Sequence, residues 1–337
     1  MTQPRVLVVD DSAFARTALS RVLRASGTID VIGTARDGGD ALEQIAAFDP
    51  DVVTLDLTMP NRDGLDVLRA LNGRPRPRVI IVSVSTIDSA PAAEALALGA
   101  IDIISKPTAF ASDRLYEIGK ELVIKVLAAA SPPAISVASV PTPVPVLAHA
   151  AELVLIGTST GGPQALTRVL AALPANLAAP IAMVLHIPVG YTEALAHRLD
   201  RISKLEVVEA VEGIELRPGR AVLARAGHHL KIRRIGDNLT AHLDALPVRA
   251  HTPSVDELFL SAARVIGAKT LGVVLTGMGD DGLEGSRAIA AAGGMLLTEA
   301  PSSCVVYGMP RVVYEAGLGA RQAPLELVPK EILHYVK

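Results

Sequence analysis

Two groups of residues in this sequence have types and spacings that could do chemistry. In the first, Asp10 and Asp11 follow one short apolar run, Asp56 follows a second, Ser83 closes a third and Lys106 follows a fourth. Carboxylates gathered in one crevice repel each other unless a cation is present. A few hard oxygen ligands suit Mg2+, which keeps some of its own waters. A carboxylate beside Mg2+ can attack a phosphoryl group, whose oxygens Lys106 and the Ser83 hydroxyl would then hold. In the second group, Ser159 sits in Gly157-Thr158-Ser159-Thr160-Gly161-Gly162-Pro163 and His186 directly follows Met183-Val184-Leu185. Asp280 and Asp281 lie in Thr276-Gly277-Met278-Gly279-Asp280-Asp281-Gly282. A Ser, a His and an Asp brought to one rim form a nucleophile, a base and an orienter.

Each residue alone has a plainer reading. Acids after strands are often loop caps, and a Gly-rich turn at a helix start can cradle phosphate. The G-x-G-x-x-G pattern is not matched, because Ser159 occupies its second glycine. Asp-Asp-Gly is usually a turn, and spacing does not choose between Asp280 and Asp281. His251, ahead of Pro253-Ser254-Val255-Asp256, reads as structural or as lining a cleft. The basic stretch from Arg217 to Arg234 reads as a solvated hairpin face or as a contact for an acidic helical substrate, and Cys304 as a packed small residue. The groups gain weight from their positions, since every one of them follows a strand-like run.

The elements that must position these residues are legible as alternation. Apolar runs at residues 6–9, 31–35, 52–55, 79–83 and 101–104 alternate with amphipathic stretches such as 15–25 and 39–47. This predicts a parallel sheet with helices on both faces, whose functional groups collect at the carboxyl ends of strands. From Glu152 the pattern restarts, with continuous apolar runs at 153–156, 181–185 and 271–275, each followed by polar, Gly-rich sequence. A strand, a glycine turn and a helix opened by Pro163 would expose the Ser159 hydroxyl at a helix N-terminus. The fold class expected is therefore α/β, with two doubly wound parallel-sheet domains. The chain order Ser, His, Asp differs from that of α/β-hydrolases and disfavours that fold.

Composition bounds the rest. The 337 residues are comfortable for two domains; half are hydrophobic, but aromatics are only 3%, so the cores must be Ala, Val, Leu and Ile. A net charge of −3 from nearly balanced acids and bases argues against nucleic acid as a partner. No compact basic helix-turn-helix is visible, which disfavours a DNA-binding regulator. The lone Cys304 excludes an internal disulfide and fits a reducing compartment, and residues 1–4 show no charged start leading into an apolar leader, so a cytoplasmic location is expected. Residues 126–151 carry no Asp, Glu, Lys or Arg, yet Pro132, Pro133, Pro141, Pro143 and Pro145 interrupt them. That reads as an extended linker rather than a membrane-spanning helix, and no membrane insertion is expected.

The stretches Val8-Val9-Asp10-Asp11-Ser12, Asp56-Leu57-Thr58-Met59-Pro60 with Asp63-Gly64, and Ser105-Lys106-Pro107 resemble the two-component receiver domain over residues 4–125. The likeness implies that Asp56 is the phosphoacceptor, that Asp10, Asp11, Asp56 and the backbone carbonyl of Thr58 bind Mg2+, and that Ser83 and Lys106 hold the phosphoryl group. After the linker, residues 152–337 look like the catalytic domain of the CheB chemotaxis methylesterase family. The likeness rests on Ile156 to Pro163, His186 to Thr192, Pro253 to Asp256 and Leu275 to Gly282. It implies Ser159 as nucleophile, His186 as general base and Asp281 as the orienting acid, with backbone N–H groups near Thr160 and Met278 as the oxyanion hole. Asp280 then occupies a position that is usually Asn.

The resemblance further implies cleavage of glutamyl methyl esters, and deamidation of glutamines, on the cytoplasmic helices of chemoreceptors, with a chemotaxis histidine kinase as phosphodonor. The hydrolysis itself would need no metal or organic cofactor. The two-part architecture also raises the expectation that the unphosphorylated receiver shields the Ser159 cleft. A different class of reading stays open beside it: a non-enzymatic response regulator whose second domain only binds partners.

Overall fold

The computed structural model describes residues 3–74, 76–83, 89–106, 112–130 and 150–336, with Ser89 and residues 112–117 described by backbone alone. The linker prolines and Pro107 lie outside the described residues. The chain divides into two compact units, Met1–Pro132 and Pro133–Lys337.

The first unit alternates strand and helix: β1 (Arg5–Val9), α1 (Ala13–Ala25), β2 (Asp30–Ala35), α2 (Gly38–Phe48), β3 (Val52–Leu55), α3 (Gly64–Leu71), β4 (Arg78–Ser83), α4 (Ser89–Ala97), β5 (Asp102–Ser105) and α5 (Ser112–Ala130). The five strands pair in parallel in the order β2-β1-β3-β4-β5. Central strands such as Val6 to Val9 are buried on both faces, which is why they read as continuous apolar runs rather than as alternation. Ser12, Asp37 and Asp63 cap α1, α2 and α3 by accepting backbone N–H groups of the first turn. Helix α5 continues through Ala130, with Val126 and Ala129 buried. Residues 126–130, expected in the linker from their lack of charge, thus complete the helix. Their apolar character is that of a packed face.

The second unit comprises β6 (Leu153–Thr158), α6 (Gly162–Ala172), β7 (Ile181–Leu185), α7 (Thr192–Ile202), β8 (Glu206–Glu209), β9 (Glu215–Leu216), β10 (Arg220–Leu223), β11 (His229–Ile235), β12 (Asn238–Asp244), α8 (Val255–Ile266), β13 (Thr270–Val274), α9 (Leu283–Ala291), β14 (Met295–Glu299), α10 (Met309–Glu315), β15 (Arg321–Ala323) and α11 (Val328–Val336). Seven strands form a parallel sheet in the order β15-β14-β13-β6-β7-β10-β8. From β6 the chain builds outward through β7 on one side, and the later strands β13, β14 and β15 fill the other. A topological switch point therefore falls between β6 and β13, where a crevice opens beyond the strand ends.

A small antiparallel sheet, β11-β12-β9, accompanies the parallel one. The sequence expectation of a basic hairpin at Arg217 to Arg234 is corrected by it. Arg220–Leu223 is a strand of the parallel sheet, the hairpin is β11–β12, and His229 is fully buried. Several of its cations are paired, Arg217 and Arg220 with Glu206 and Lys231 with Asp244. Among the described residues no helix is long and apolar enough to cross a membrane.

Candidate active site

The strand order of the first unit gathers its acids. Asp10 follows β1 and Asp56 follows the adjacent β3, and ligand oxygens of Asp10, Asp11 and Asp56 all lie within 4.8 Å of one another. Lys106 Nζ stands 2.5 Å from Asp56 Oδ2 and 2.6 Å from Asp10 Oδ2. The Asp10 contact lacks hydrogen-bond geometry, so Asp10 Oδ2 is a buried oxygen with no hydrogen-bond partner. Burial pushes the Asp56 carboxyl up against the pull of Lys106, and the Asp10 charge adds to the rise. Ser83, paired with Ser105 across β4 and β5, accepts the Lys106 backbone N–H at 2.8 Å and so lies at the same rim. Thr58 is two residues past Asp56 on the same loop. Asp10 and Asp56 share one lysine, and Asp11 stands beside them. That donor set, all oxygen and net negative, fits a hard divalent cation.

In the second unit, strand register places the other group. Thr158 at the end of β6 pairs with Leu185 at the end of β7, so Ser159 and His186 each stand one residue beyond a matched pair. The His186 N–H donates to Thr158 O at 3.1 Å and closes the two ends together. On the other side of β6, the Ser159 N–H donates to Thr276 O at 3.1 Å and ties the serine to the loop after β13. Gly161 makes the turn into α6 with φ +81°, a conformation that side chains other than glycine rarely adopt, and Pro163 stands in the first turn of the helix. Gly277 is needed for a different reason. A Cβ there would sit 2.9 Å from both Cβ and N of Ser159.

Asp281 is the acid that reaches His186. Its Oδ2 lies 2.8 Å from His186 Nε2, whereas Asp280 is exposed. The same carboxylate accepts the Ser254 hydroxyl at 2.8 Å and the backbone N–H groups of Val255 and Asp256 at 2.7 and 2.9 Å. Those donors form the N-terminus of α8, which favours a negative charge. Burial opposes ionisation of Asp281, but His186 and these N–H donors outweigh it and hold the carboxyl well below the usual range. Asp256 reciprocates by accepting the N–H groups of Gly282 and Gly285 at the start of α9, at 2.9 and 2.7 Å. Burial and the neighbouring Asp281 charge push its own carboxyl up to about 7.

Because a carboxylate only accepts, Nε2 carries the proton and Nδ1 is left as the basic nitrogen. Nδ1 is buried and makes no hydrogen bond. The His186–Asp281 pair is thus formed, while the Ser159 hydroxyl is not hydrogen-bonded to His186. Catalytic hydrogen bonds commonly tighten only when substrate is bound.

A buried network fixes the floor of the site. Glu299 accepts the Thr276 N–H at 2.8 Å, Thr276 Oγ1 donates to Thr160 O at 3.0 Å, and Thr158 Oγ1 donates to Thr276 O at 2.6 Å. The segment carrying Thr160 is therefore locked to the loop carrying Met278. The Met278 N–H has no acceptor among the described residues, so an oxyanion could use it. Cys304 is buried and its thiol is pushed up by burial, the behaviour of a packed side chain.

Three residues of this site carry roles that sequence did not assign. His251 stacks on His186 with ring centroids 4.1 Å apart and planes 17° from parallel. Ser254 and Asp256 hold Asp281 and α9. The available signal was a capping pattern, Ser254 followed three residues later by Glu257 ahead of an apolar run. It announces the start of α8 but not which acid that helix receives. A cavity of about 490 Å³ is lined in part by Arg249, His251, Ser254, Asp281 and Arg287.

Comparison with known proteins places both units in known families. Residues 154–332 match the CheB methylesterase family model, and residues 6–118 match the response regulator receiver domain. A protein-glutamate methylesterase/protein-glutamine glutaminase of Myxococcus xanthus is 58% identical, covering 96% of this chain and 95% of its own. One from Halalkalibacterium halodurans is 39% identical over 99% and 98%. The crystal structure of the Thermotoga maritima CheB methylesterase catalytic domain superposes with a TM-score of 0.54 at 37% identity, covering 55% of this chain and 99% of that one. This chain, a receiver domain followed by a hydrolase domain, therefore belongs to the CheB methylesterase family.

Proposed function

We propose that this chain is a phosphorylation-regulated serine hydrolase that cleaves glutamate methyl esters, and deamidates glutamines, on the cytoplasmic helices of chemoreceptors. The observation that carries the reading is the hydrogen bond from His186 Nε2 to the Asp281 carboxylate, which leaves Nδ1 basic at the strand end next to Ser159.

In the proposed reaction His186 Nδ1 takes the Ser159 proton as Oγ attacks the ester carbonyl. The negative oxygen is held by backbone N–H groups at Thr160 and Met278, a contribution on the order of 10²–10³ in rate per donor. The protonated ring, steadied by Asp281, returns the proton to the leaving methoxide, and methanol departs. Water, deprotonated by the same Nδ1, attacks the acyl-enzyme; its collapse releases the glutamate carboxylate and free Ser159. With a glutamine the sequence is the same and ammonia leaves.

In the receiver, Asp56 is the proposed phosphoacceptor. Asp10, Asp11, Asp56 and the Thr58 carbonyl would hold Mg2+, which supplies the charge that lets a carboxylate approach a phosphoryl group. Lys106 and Ser83 would then bind the new oxygens and signal the change to the hydrolase. A histidine kinase of the chemotaxis pathway is the proposed phosphodonor, and the setting is cytoplasmic.

The test is methanol release from methyl-labelled receptor, with and without a small phosphodonor. Wild type should release methanol faster with the phosphodonor, Asp56→Asn should not respond, and Ser159→Ala should release none while keeping its fold. Methanol release by a folded Ser159→Ala protein would end the hydrolase reading.

A further inference from the structure

The His186 ring is held by hydrogen bonding at one atom only. Nε2 sits on Asp281 at 2.8 Å, and buried Nδ1 has no hydrogen-bond partner. One bond fixes a point on the ring but not its plane, and the Cβ–Cγ torsion of a histidine has a broad energy well. Rotation of the ring about that single anchor would swing Nδ1 away from the nucleophile without breaking the bond to Asp281. A second constraint must act on the ring's face.

His251 provides that face. Its ring lies 4.1 Å from that of His186 and nearly parallel to it. The segment that carries it is anchored independently of the stack. Thr252 O accepts the Gly227 N–H at 3.0 Å, and the Ser254 N–H donates to Nδ1 of the buried His229 at 3.0 Å. His229 in turn contacts Pro247 O through Nε2 at 2.9 Å. Two residues beyond Thr252, the Ser254 hydroxyl reaches Asp281. A single short segment thus presents a flat ring to the base and a donor to the acid that the base holds.

We propose that His251 is a positioning residue whose ring plane fixes the orientation of the His186 imidazole, keeping Nδ1 available to Ser159 while Nε2 stays on Asp281. The role is steric and rests on the flat side chain stacked on the His186 ring. The inference rests on the hydrolase reading for its kinetic consequence, but its structural claim can be read without turnover.

The experiment uses the full chain with two substitutions. His251→Ala removes the plane, and His251→Phe keeps a plane while removing both nitrogens. Methanol release should show kcat of His251→Ala falling about 10- to 100-fold, the scale of a small misplacement of a reacting group. KM should move by less than about twofold, since the loss concerns the reacting geometry. His251→Phe should stay within about threefold of wild type because the ring face is retained. In parallel, long-range 1H–15N spectra of the histidine rings should show the Nε2–H form of His186 in wild type and His251→Phe, and a broadened or mixed pattern in His251→Ala. Wild-type kcat in His251→Ala would overturn the proposal. So would His251→Phe as defective as His251→Ala, or a loss confined to KM. The ring spectra do not depend on catalysis, so a failure of the hydrolase reading, seen as unchanged methanol release by Ser159→Ala, would leave the stacking claim separately measurable.

Discussion

Asp281→Asn is the substitution whose outcome the structure constrains most tightly. It removes a charge and almost no volume. The carboxylate serves four donors: His186 Nε2 and the Val255 N–H on Oδ2, and the Ser254 hydroxyl and the Asp256 N–H on Oδ1. An amide has one acceptor oxygen, so two of the four must lose theirs. If the amide nitrogen turns to the Oδ1 side, the Ser254 hydroxyl can rotate and accept, and only the Asp256 N–H is stranded. If it turns to the Oδ2 side, the Val255 N–H is stranded and His186 must also shift its proton to Nδ1. The first orientation is therefore favoured, and stranding one N–H should cost about 1–3 kcal/mol in stability. That orientation keeps Nε2–H on an oxygen but removes the negative charge facing the imidazolium that forms during reaction. The expected loss in kcat is about 10²- to 10⁴-fold, with the upper end reached when the wrong ring nitrogen carries the proton. Methanol release gives kcat and KM, and urea unfolding gives the stability. A kcat within about threefold of wild type would refute the reasoning, because it would mean that the acid contributes neither charge nor orientation.

The same variant should alter pH dependence with a definite sign. Despite its burial, Asp281 is held low by His186 and the α8 N–H groups. Its stabilising contribution is thus present above the ordinary carboxylate range and lost as the pH falls through and below it. Asp281→Asn should unfold with a shallower loss of stability on acidification than wild type.

Asp256 behaves oppositely. Its carboxyl is raised to about 7, so wild type should lose stability relative to Asp256→Asn as the pH rises from about 4 to about 7. The amide oxygen can keep both N–H bonds, because Gly282 and Gly285 donate to the same oxygen. Thermal melts at the two ends of that range would show it, and a difference independent of pH would contradict it. Gly277→Ala places a methyl 2.9 Å from the Ser159 backbone nitrogen. Displacement of Ser159, the proposed nucleophile, should reduce kcat by about 10²-fold with the fold intact by circular dichroism, and unchanged kcat would show that the contact is relieved elsewhere. Lys106→Met leaves the buried Asp10 and Asp56 beside Asp11 without their shared cation. Its melting temperature should fall at neutral pH, and millimolar Mg2+ should raise it more than it raises wild type. Equal Mg2+ shifts in the two proteins would argue against a cation site there.

Much of this protein is legible as a one-dimensional pattern. Strands buried on both faces of a parallel sheet must be continuously apolar, so residues 6–9, 52–55, 153–156 and 181–185 announce themselves, and the polar residues just beyond each run stand at a strand's carboxyl end. That is why Asp10, Asp56, Ser159 and His186 could be picked out. The pattern was less clear where apolarity has more than one cause. Residues 126–130 resemble an uncharged linker but are the last turn of α5, with Val126 and Ala129 buried. Arg217 to Arg234 resembles one hairpin but is split between the main sheet and the small antiparallel one.

Packing decided direction. Asp280 and Asp281 are equivalent in any local reading of an Asp-Asp-Gly turn. Only the docking of the α8 N-terminus beside that turn selects the one whose oxygens meet Val255, Asp256 and His186. Which ring nitrogen of His186 is basic, and that His251 lies flat against it, come from contacts across tens of residues. The order of residue types along the chain records which side chains a strand end can offer. The vectors along which they donate, accept and stack exist only after the elements have packed, because they are set by neighbours distant in sequence.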